Sequence, residues 1–378
     1  MITRTLHERI VLRMHKHKKA MIILGARQTG KTTLIRMITE KMADVLWLNA
    51  DEADVRTLLE NTSSTRLKGV FGNHKVVVID EAQRIEQAGL TLKLITDQIP
   101  EIQLIVTGSS AFDLSNQVNE PLTGRKVEYQ LFPFSLEELV KHHGLLEEKR
   151  MLKHRMVFGS YPEIVTHPGD EQELLTELTE SFLYKDLLML EGLKKPNKLV
   201  KLLQALALQV GSEVSYHELG QTVGLDNQTV EKYIDLLEKA FVVFRLSALS
   251  RNLRNEIKKG KKVYFYDNGI LNALIAQYQT VELRKDIGAL WENYLISERF
   301  KYLSNYKVHC HRYFWRTHEQ QEIDYVEERD GKFFAFEFKW SPKKKGKFAK
   351  SFTNAYPDHE LMVVTPENYE SFLLGPIK

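Results

Sequence analysis

The chain has 378 residues, 43% hydrophobic and 27% charged, with 53 basic against 50 acidic side chains for a net charge of +3. That length calls for roughly two to three domains, the composition excludes a disordered chain, and the charge balance by itself does not imply nucleic-acid binding. No apolar run reaches the ~18–20 residues of a membrane helix, Met1-Ile2-Thr3-Arg4-Thr5 carries no signal-peptide pattern, and Cys310, the single cysteine, excludes an intrachain disulfide and fits a reducing cytoplasm.

In chain order, residues 1–20 predict an amphipathic basic helix leading into a strand. From about 21 to 131 short apolar runs alternate with helical stretches. The runs are Met21–Leu24, Val45–Leu48, Val76–Ile79, Leu104–Val106 and Val127–Leu131. Several are near-continuous in Val, Ile and Leu, as strands buried on both faces are. Strands alternating with helices predict a parallel sheet of βαβ units. Residues 135–210 turn mostly helical, with Ser135 before Leu136-Glu137-Glu138 as a capping box. Ser215-Tyr216-His217-Glu218 is a second such start. It opens a short helix to Val223, a turn at Gly224–Asn227, a helix from Gln228 to Lys239 and a strand Phe241–Leu246. Helix, glycine-containing turn, helix and strand is the order of a winged helix-turn-helix. From about 261 strands return, with helices near 288–303 and 346–356. The expected divisions are 1–134, 135–197, 198–260 and 261–378.

Gly25-Ala26-Arg27-Gln28-Thr29-Gly30-Lys31-Thr32 matches the phosphate-binding pattern G-x-x-x-x-G-K-[ST] in full. Gly25 and Gly30 allow backbone angles that turn N–H groups toward phosphate oxygens. Lys31 supplies a mobile positive charge for the β- and γ-phosphates. Thr32 supplies a hydroxyl for Mg²⁺, and Thr33 follows it as a further nucleotide-binding candidate. The helix that begins there points its positive end at the anion. A strand, Val76 to Ile79, then runs straight into Asp80-Glu81. Two adjacent carboxylates at the end of a buried strand are costly unless a cation compensates. With ATP and Mg²⁺ bound, Asp80 would hold the metal and Glu81 would orient or deprotonate the attacking water. Leu104–Val106 ends in Thr107-Gly108-Ser109-Ser110, where Ser109 is a candidate sensor of the γ-phosphate. Arg125, in cis or from a second copy, and Arg27 are candidates for stabilising transition-state charge.

Taken together, G-A-R-Q-T-G-K-T, V-V-V-I-D-E-A-Q, L-I-V-T-G-S-S and L-T-G-R…L-F-P-F-S resemble the bacterial and archaeal AAA-type ATPases with a C-terminal domain of unknown function. That C-terminal domain is similar to the PD-(D/E)XK nucleases. Further matches are F-G-S-Y-P-E (158–163), K-V-Y-F-Y-D-N-G (262–269), W-E-N-Y-L-I-S-E (291–298) and E-I-D-Y-V…F-E-F-K (322–339). The resemblance covers essentially the whole chain. It implies an α/β protein: a P-loop ATPase core with an ASCE-type parallel sheet, a helical and winged-helix middle, and a nuclease-like α/β end.

The C-terminal pattern has a derivable geometry. Asp330-Gly331 is a favoured two-residue hairpin loop between alternating segments 322–328 and 332–340. Arg329 then pairs with Lys332, Asp324 lies opposite Glu337, and Lys339 shares their face. Ile323, Tyr325, Phe336 and Phe338 fall on the other, apolar face. Opposed carboxylates ~5 Å apart destabilise a hairpin, and a divalent cation would reverse that. Asp324, Glu337 and Lys339 are the residue types of the PD-(D/E)XK pattern, and Glu292 matches its additional helical acid, so these four form a candidate second metal site. The alternative is a surface hairpin in which Glu322 pairs with Lys339.

Two basic clusters, Arg251, Arg254, Lys258, Lys259, Lys261 and Lys262, then Lys343, Lys344, Lys345, Lys347 and Lys350, could meet nucleic-acid phosphates. The second helix of the turn motif carries Gln228, Thr229, Glu231, Lys232 and Asp235, a mixed charge that suits a packing module as well as a DNA reader. His15, His17, His142, His143, His309 and His311 lack partners at metal spacing. Three functions stay open: an ATPase acting on DNA, a nucleotide-controlled binding switch, and a metal-dependent nuclease. ATP is an expected partner, DNA a candidate one, a homo-oligomer follows if Arg125 acts in trans, and no membrane is expected.

Overall fold

The computed structural model describes residues 1–109, 122–181, 195–250, 260–317, 319–343 and 346–375. The chain divides into two compact units, Met1–Phe134 with Lys239–Phe241, and Ser135–Glu238 with Val242–Lys378.

The first unit runs α1 (Thr5–Lys16), β1 (Ala20–Leu24), α2 (Lys31–Thr39), β2 (Val45–Asn49), α3 (Ala53–Leu59), α4 (Ser64–Phe71), β3 (Val76–Asp80), α5 (Ala88–Gln98), β4 (Gln103–Gly108) and β5 (Lys126–Gln130). The five strands form one parallel sheet in the order β2-β3-β4-β1-β5. β1, β3 and β4 are buried at every residue, which explains their unbroken apolar runs. Leu6 and Ile10 of α1, with Leu34, Ile35 and Ile38 of α2, cover Met21, Ile23, Val78 and Ile105 of the sheet. Each such side chain contributes about 1.5–3 kcal/mol on full burial. β4 lies between β1 and β3. The strand that bears the phosphate loop and the strand that bears the acidic pair are therefore bridged by the strand ending in Thr107-Gly108.

The second unit opens with helices α6 (Leu136–His143), α7 (Leu145–Phe158), α8 (Pro162–Thr166), α9 (Glu171–Ser181) and α10 (Pro196–Leu208). Ser135 and Glu138 cap α6 reciprocally, Oγ accepting from Glu138 N–H at 3.3 Å and the Glu138 carboxylate from Ser135 N–H at 3.0 Å. Then come β6 (Glu213–Val214), α11 (Tyr216–Val223), α12 (Asn227–Lys239), β7 (Val243–Ala248), β8 (Lys261–Phe265), α13 (Asn268–Leu274) and α14 (Ile287–Tyr306). The chain closes with β9 (His311–Arg316), β10 (Glu322–Arg329), β11 (Lys332–Phe338), α15 (Lys350–Ala355), β12 (His359–Val364) and α16 (Tyr369–Leu373).

Among the described residues the seven strands of this unit join one sheet, β12-β11-β10-β9-β7-β8-β6. The expected division between residues 260 and 261 falls inside it, because β7 pairs antiparallel with β8 and parallel with β9. A sequence pattern shows that β7 is a strand, but not what meets its second edge. β7 also starts two residues later than expected, after Phe241 in the left-handed region at φ 58°.

The β10–β11 register has Arg329 opposite Lys332 and Tyr325 opposite Phe336. Asp330 at φ 49° and Gly331 at φ 82° supply the two left-handed residues such a turn requires. One assignment is corrected. The pairing of β10 with β9 shifts between Ile323 and Val326. That bulge turns Ile323 into a cluster with Val326, Ala335 and Phe352. Tyr325 instead packs with Phe336, Phe338 and Phe372. Among the described residues no helix is long and apolar enough to cross a membrane.

A buried bidentate pair joins helix to sheet. Arg299 of α14 donates to both oxygens of Glu327 on β10, at 2.7 and 3.0 Å, and to the Phe372 carbonyl of α16 at 2.8 Å. Glu327→Gln leaves that guanidinium without its counter-charge and is expected to cost about 3–5 kcal/mol, read as a lowered urea midpoint of unfolding.

Candidate nucleotide site

β1 delivers the chain into the phosphate loop at Gly25, whose N–H donates to the Gly108 carbonyl at 3.3 Å. A Cβ at Gly25 would lie 2.1 Å from the Leu131 carbonyl oxygen, so only glycine fits. Gly30 sits at φ 90° and caps α2, which begins at Lys31. The exposed Gln28 also adopts positive φ, at 59°. The loop thus turns its N–H groups inward just where the helix presents its positive end. Lys31 is buried, and its ammonium rests on the carbonyls of Gly25 at 2.9 Å and Ala26 at 3.0 Å. Thr29 is fully buried and donates to Ala26 O at 2.8 Å, Arg27 is half-buried, and Thr33 is exposed.

The N-terminal arginine Arg4 holds this loop from behind. Its buried guanidinium donates to the Thr29 carbonyl at 3.1 Å and to the Phe132 carbonyl beyond β5, and lies 4.7 Å from the Phe134 ring centre. Sequence reasoning passed over Arg4, since nothing local marks one arginine in a basic segment as buried.

At the end of β3, Asp80 accepts from the Thr32 hydroxyl at 2.9 Å on one oxygen and from the Thr107 hydroxyl on the other. The Thr107 oxygen in turn accepts from the Glu81 N–H at 2.9 Å. Glu81 lies in the left-handed region at φ 54°, a conformation that costs about 1–3 kcal/mol in a non-glycine residue and clusters at functional sites. Gln83 donates to the Glu81 carboxylate and to the Ser109 hydroxyl at 2.8 Å. Ser110 lies outside the described residues. Thr32, Asp80, Glu81 and Ser109 are therefore brought together, joined by Thr107 and by Gln83, which sequence reasoning did not single out. A cavity of about 820 Å³ opens beside Thr32, Thr33 and Asp80, lined also by Arg36, Trp47 and Asn49. The adjacent hydroxyl and carboxylate are hard oxygen donors of the kind Mg²⁺ takes.

Arg125 is corrected as a catalytic group of its own copy. It precedes β5, its carbonyl pairs with Ala20 N–H at the start of β1, and its guanidinium pairs with Asp97 at 2.5 Å. β1 and β5 run parallel, so Arg125 and the phosphate loop sit at opposite ends of the sheet. Five residues at ~3.3 Å each exceed an arginine's reach.

In the second unit the nuclease-like residues also meet. Glu292 of α14 accepts from the Tyr264 hydroxyl at 2.6 Å and the Lys262 ammonium at 3.1 Å. Asp324 accepts from Phe338 N–H at 2.7 Å, and Lys339 lies 2.7 Å from Glu337 and 3.8 Å from Asp324. The Glu322–Lys339 pair of the alternative surface hairpin gives way to other partners. Glu322 lies 2.5 Å from Lys262 and 3.8 Å from Arg316. Burial pushes the Glu292 carboxyl up to about 7, against the pull of Lys262. Burial, then the charge of Asp324, pushes Glu337 up to about 7 as well. Burial raises Asp324 too. Among the described residues no three His, Cys, Asp or Glu converge to hold a metal ion. At the candidate second metal site of Glu292, Asp324, Glu337 and Lys339, a cation from outside the set is Lys262, whose ammonium lies 3.1 Å from Glu292.

The basic clusters separate. Arg251, Arg254, Lys258, Lys259, Lys344 and Lys345 lie outside the described residues. Lys262 is buried and unavailable to a phosphate backbone, whereas Lys343, Lys347 and Lys350 are exposed. On α12 Gln228, Glu231 and Lys232 are exposed, while Asp235 pairs with Arg245 at 2.5 Å. F-G-S-Y-P-E and Y-D-N-G meet for structural reasons. Asp267 caps α13 through Gly269 N–H at 2.8 Å and accepts Ser160 N–H at 2.8 Å.

Residues 17–140 match the family model of an AAA domain, and 149–281 and 287–374 match domains of unknown function, DUF8612 and DUF4143. An uncharacterized protein of Mycobacterium tuberculosis is 26% identical over 335 residues, covering 87% of this chain and 72% of the relative. Another, of Methanocaldococcus jannaschii, is 20% identical over 332 residues, covering 82% and 72%. Among solved structures, a Walker-type ATPase of Pyrococcus abyssi aligns at 15% identity over 73% of this chain and 96% of that one, with a TM-score of 0.49. AMPPCP-bound DnaA from Aquifex aeolicus aligns at 15% identity over 63% and 89%, with a TM-score of 0.32. The domain match, the complete loop and the parallel sheet define the first unit as an AAA-type P-loop ATPase domain.

Two outcomes are expected. Gly25→Ala abolishes nucleotide binding because its methyl group displaces the loop, and Arg4→Met leaves two buried carbonyls without their donor, costing about 1–3 kcal/mol; fluorescent-nucleotide titration and urea unfolding read the two effects. Glu292 and Glu337 ionise near 7 in the folded state against an ordinary 4.5. Their stabilisation is full below 4.5 and lost as pH rises through 7. The urea midpoint should therefore fall between about pH 5 and pH 8, and Glu337→Gln should flatten that fall.

Proposed function

We propose that the protein binds ATP with Mg²⁺ at Gly25–Thr32, hydrolyses it, and uses the nucleotide state to govern how the second unit engages DNA. The observation that carries this reading is the hydrogen-bonded chain from Thr32 through Asp80 and Thr107 to Glu81, at the carboxyl ends of parallel strands. Phosphoryl transfer needs positioning and charge stabilisation rather than covalent help from the protein. The N–H groups of residues 25–30 cradle the phosphates. Lys31 leaves its loop carbonyls for the β- and γ-phosphates. Thr32 and Asp80 would hold Mg²⁺, which would supply positive charge to neutralise the phosphate oxygens. Glu81 orients or deprotonates the water, and the Gln83–Ser109 contact sets its direction. Arg27 lies within the loop, and Arg125 reaches a phosphate only from a second copy, which ties that role to an oligomer.

The DNA part of the reading rests on α11, the turn, α12 and the β7–β8 hairpin, which follow one another in winged-helix order. The exposed Lys343, Lys347 and Lys350 add a basic surface in the same unit. The nuclease-like end is read as contacting DNA without cutting it, because Lys262, which the PD-(D/E)XK pattern does not call for, lies against Glu292 and Glu322.

ATP turnover and DNA binding test both halves. Lys31→Ala is expected to lose binding and turnover, whereas Glu81→Gln keeps binding and turns over roughly 10²–10⁴-fold more slowly. Equal turnover in wild type and Lys31→Ala would sink the hydrolysis reading. Affinity for duplex, single-stranded and branched DNA should differ between nucleotide-free and ATP-bound Glu81→Gln; identical affinities refute the coupling.

A further inference from the structure

The charge cluster of the second unit contains a lysine that the PD-(D/E)XK pattern does not call for. Four carboxylates, Glu292, Glu322, Asp324 and Glu337, face two ammonium groups, Lys339 and Lys262. Lys262 comes from β8, a strand outside the hairpin that carries Asp324 and Glu337. Its side chain is 2% exposed, with the ammonium 2.5 Å from Glu322, 3.1 Å from Glu292 and 5.3 Å from the Phe314 ring centre. A charge so far from water persists only where acids from the surrounding elements neutralise it. Here α14 and β10 each bring one.

We propose that Lys262 is a built-in cation standing where a divalent metal would otherwise be needed, so that this cluster ties β8, α14 and β10 together and does not cleave phosphodiesters.

The hydrogen bonding shows that donors of the chain itself already engage these carboxylates. Mg²⁺ or Ca²⁺ draws several oxygen ligands to ~2.0–2.6 Å. Glu292 already accepts from Tyr264 and Lys262 on the same oxygen, Asp324 from Phe338 N–H, and Glu337 from Lys339. A metal entering among them would compete with these donors and sit beside the buried like charge of Lys262. The inference is independent of ATP hydrolysis in the first unit, so the two can fail separately.

The test titrates Mn²⁺ into the nucleotide-free full chain and follows its electron paramagnetic resonance signal. Wild type is expected to show no Mn²⁺ site that Asp324→Asn removes. Lys262→Met is expected to gain one Mn²⁺ site at least about ten-fold tighter than any in wild type, which a further Asp324→Asn abolishes. Its melting temperature should fall without metal and recover with Mn²⁺, with no recovery once Asp324→Asn is added. A wild-type Mn²⁺ site lost in Asp324→Asn overturns the proposal, as does a folded Lys262→Met that gains no site. Should Lys262→Met fail to fold with or without Mn²⁺, the wild-type comparison decides alone. Asp324-dependent nicking of DNA by wild type with Mn²⁺ also overturns it.

Discussion

Asp80 is a carboxylate at the end of a buried strand, and the satisfaction of its two oxygens organises the first unit. One takes the Thr32 hydroxyl from the start of α2, and the other takes Thr107 from the end of β4. Since β4 lies between β1 and β3, that second bond spans neighbouring strands and draws Glu81 N–H onto the same Thr107 oxygen. The phosphate loop, Asp80 and Glu81 thus share one network. The backbone strain at Glu81 is held by these neighbours, as strain at functional sites generally is.

The second unit solves a different problem with related means. A buried ion pair marks where a helix joins its sheet, and further buried pairs lie within the helices. Arg299 of α14 meets Glu327 of β10, whereas Arg155 meets Glu148 at 3.1 Å within α7 and Lys301 meets Glu298 at 2.7 Å within α14. Such pairs add little net stability over apolar packing, but each is costly to break. The Arg299–Glu327 pair fixes α14 against β10. The Lys262 cluster belongs to this set by its burial and its links among three elements, although its residue types are those of a hydrolytic centre. Residue types alone do not separate the two roles. What separates them is which cation lies against the carboxylates.

Legibility in the sequence follows the range of the interactions. β1, β3 and β4 of the first sheet were readable because a strand buried on both faces must be apolar throughout. The Asp330-Gly331 turn and the β10–β11 register were readable because a two-residue loop sets the pairing on both sides. The bulge that turns Ile323 away from Tyr325 was not readable, because it arises from pairing with β9 on the other edge. The continuity of β7 with β9 escaped for the same reason.

By itself, then, the sequence determined the phosphate loop, the alternation of strands and helices and the hairpin, all governed by spacing along a few adjacent residues. Only the tertiary structure decided the partners of the charged side chains. Arg4 became a brace for the loop, Arg125 an ion pair at the far end of the sheet, and Lys262 the cation of a buried cluster. The physical reason is that a buried charge is defined by what neutralises it. Those neutralising groups come from elements distant in sequence, brought near only when the sheets close.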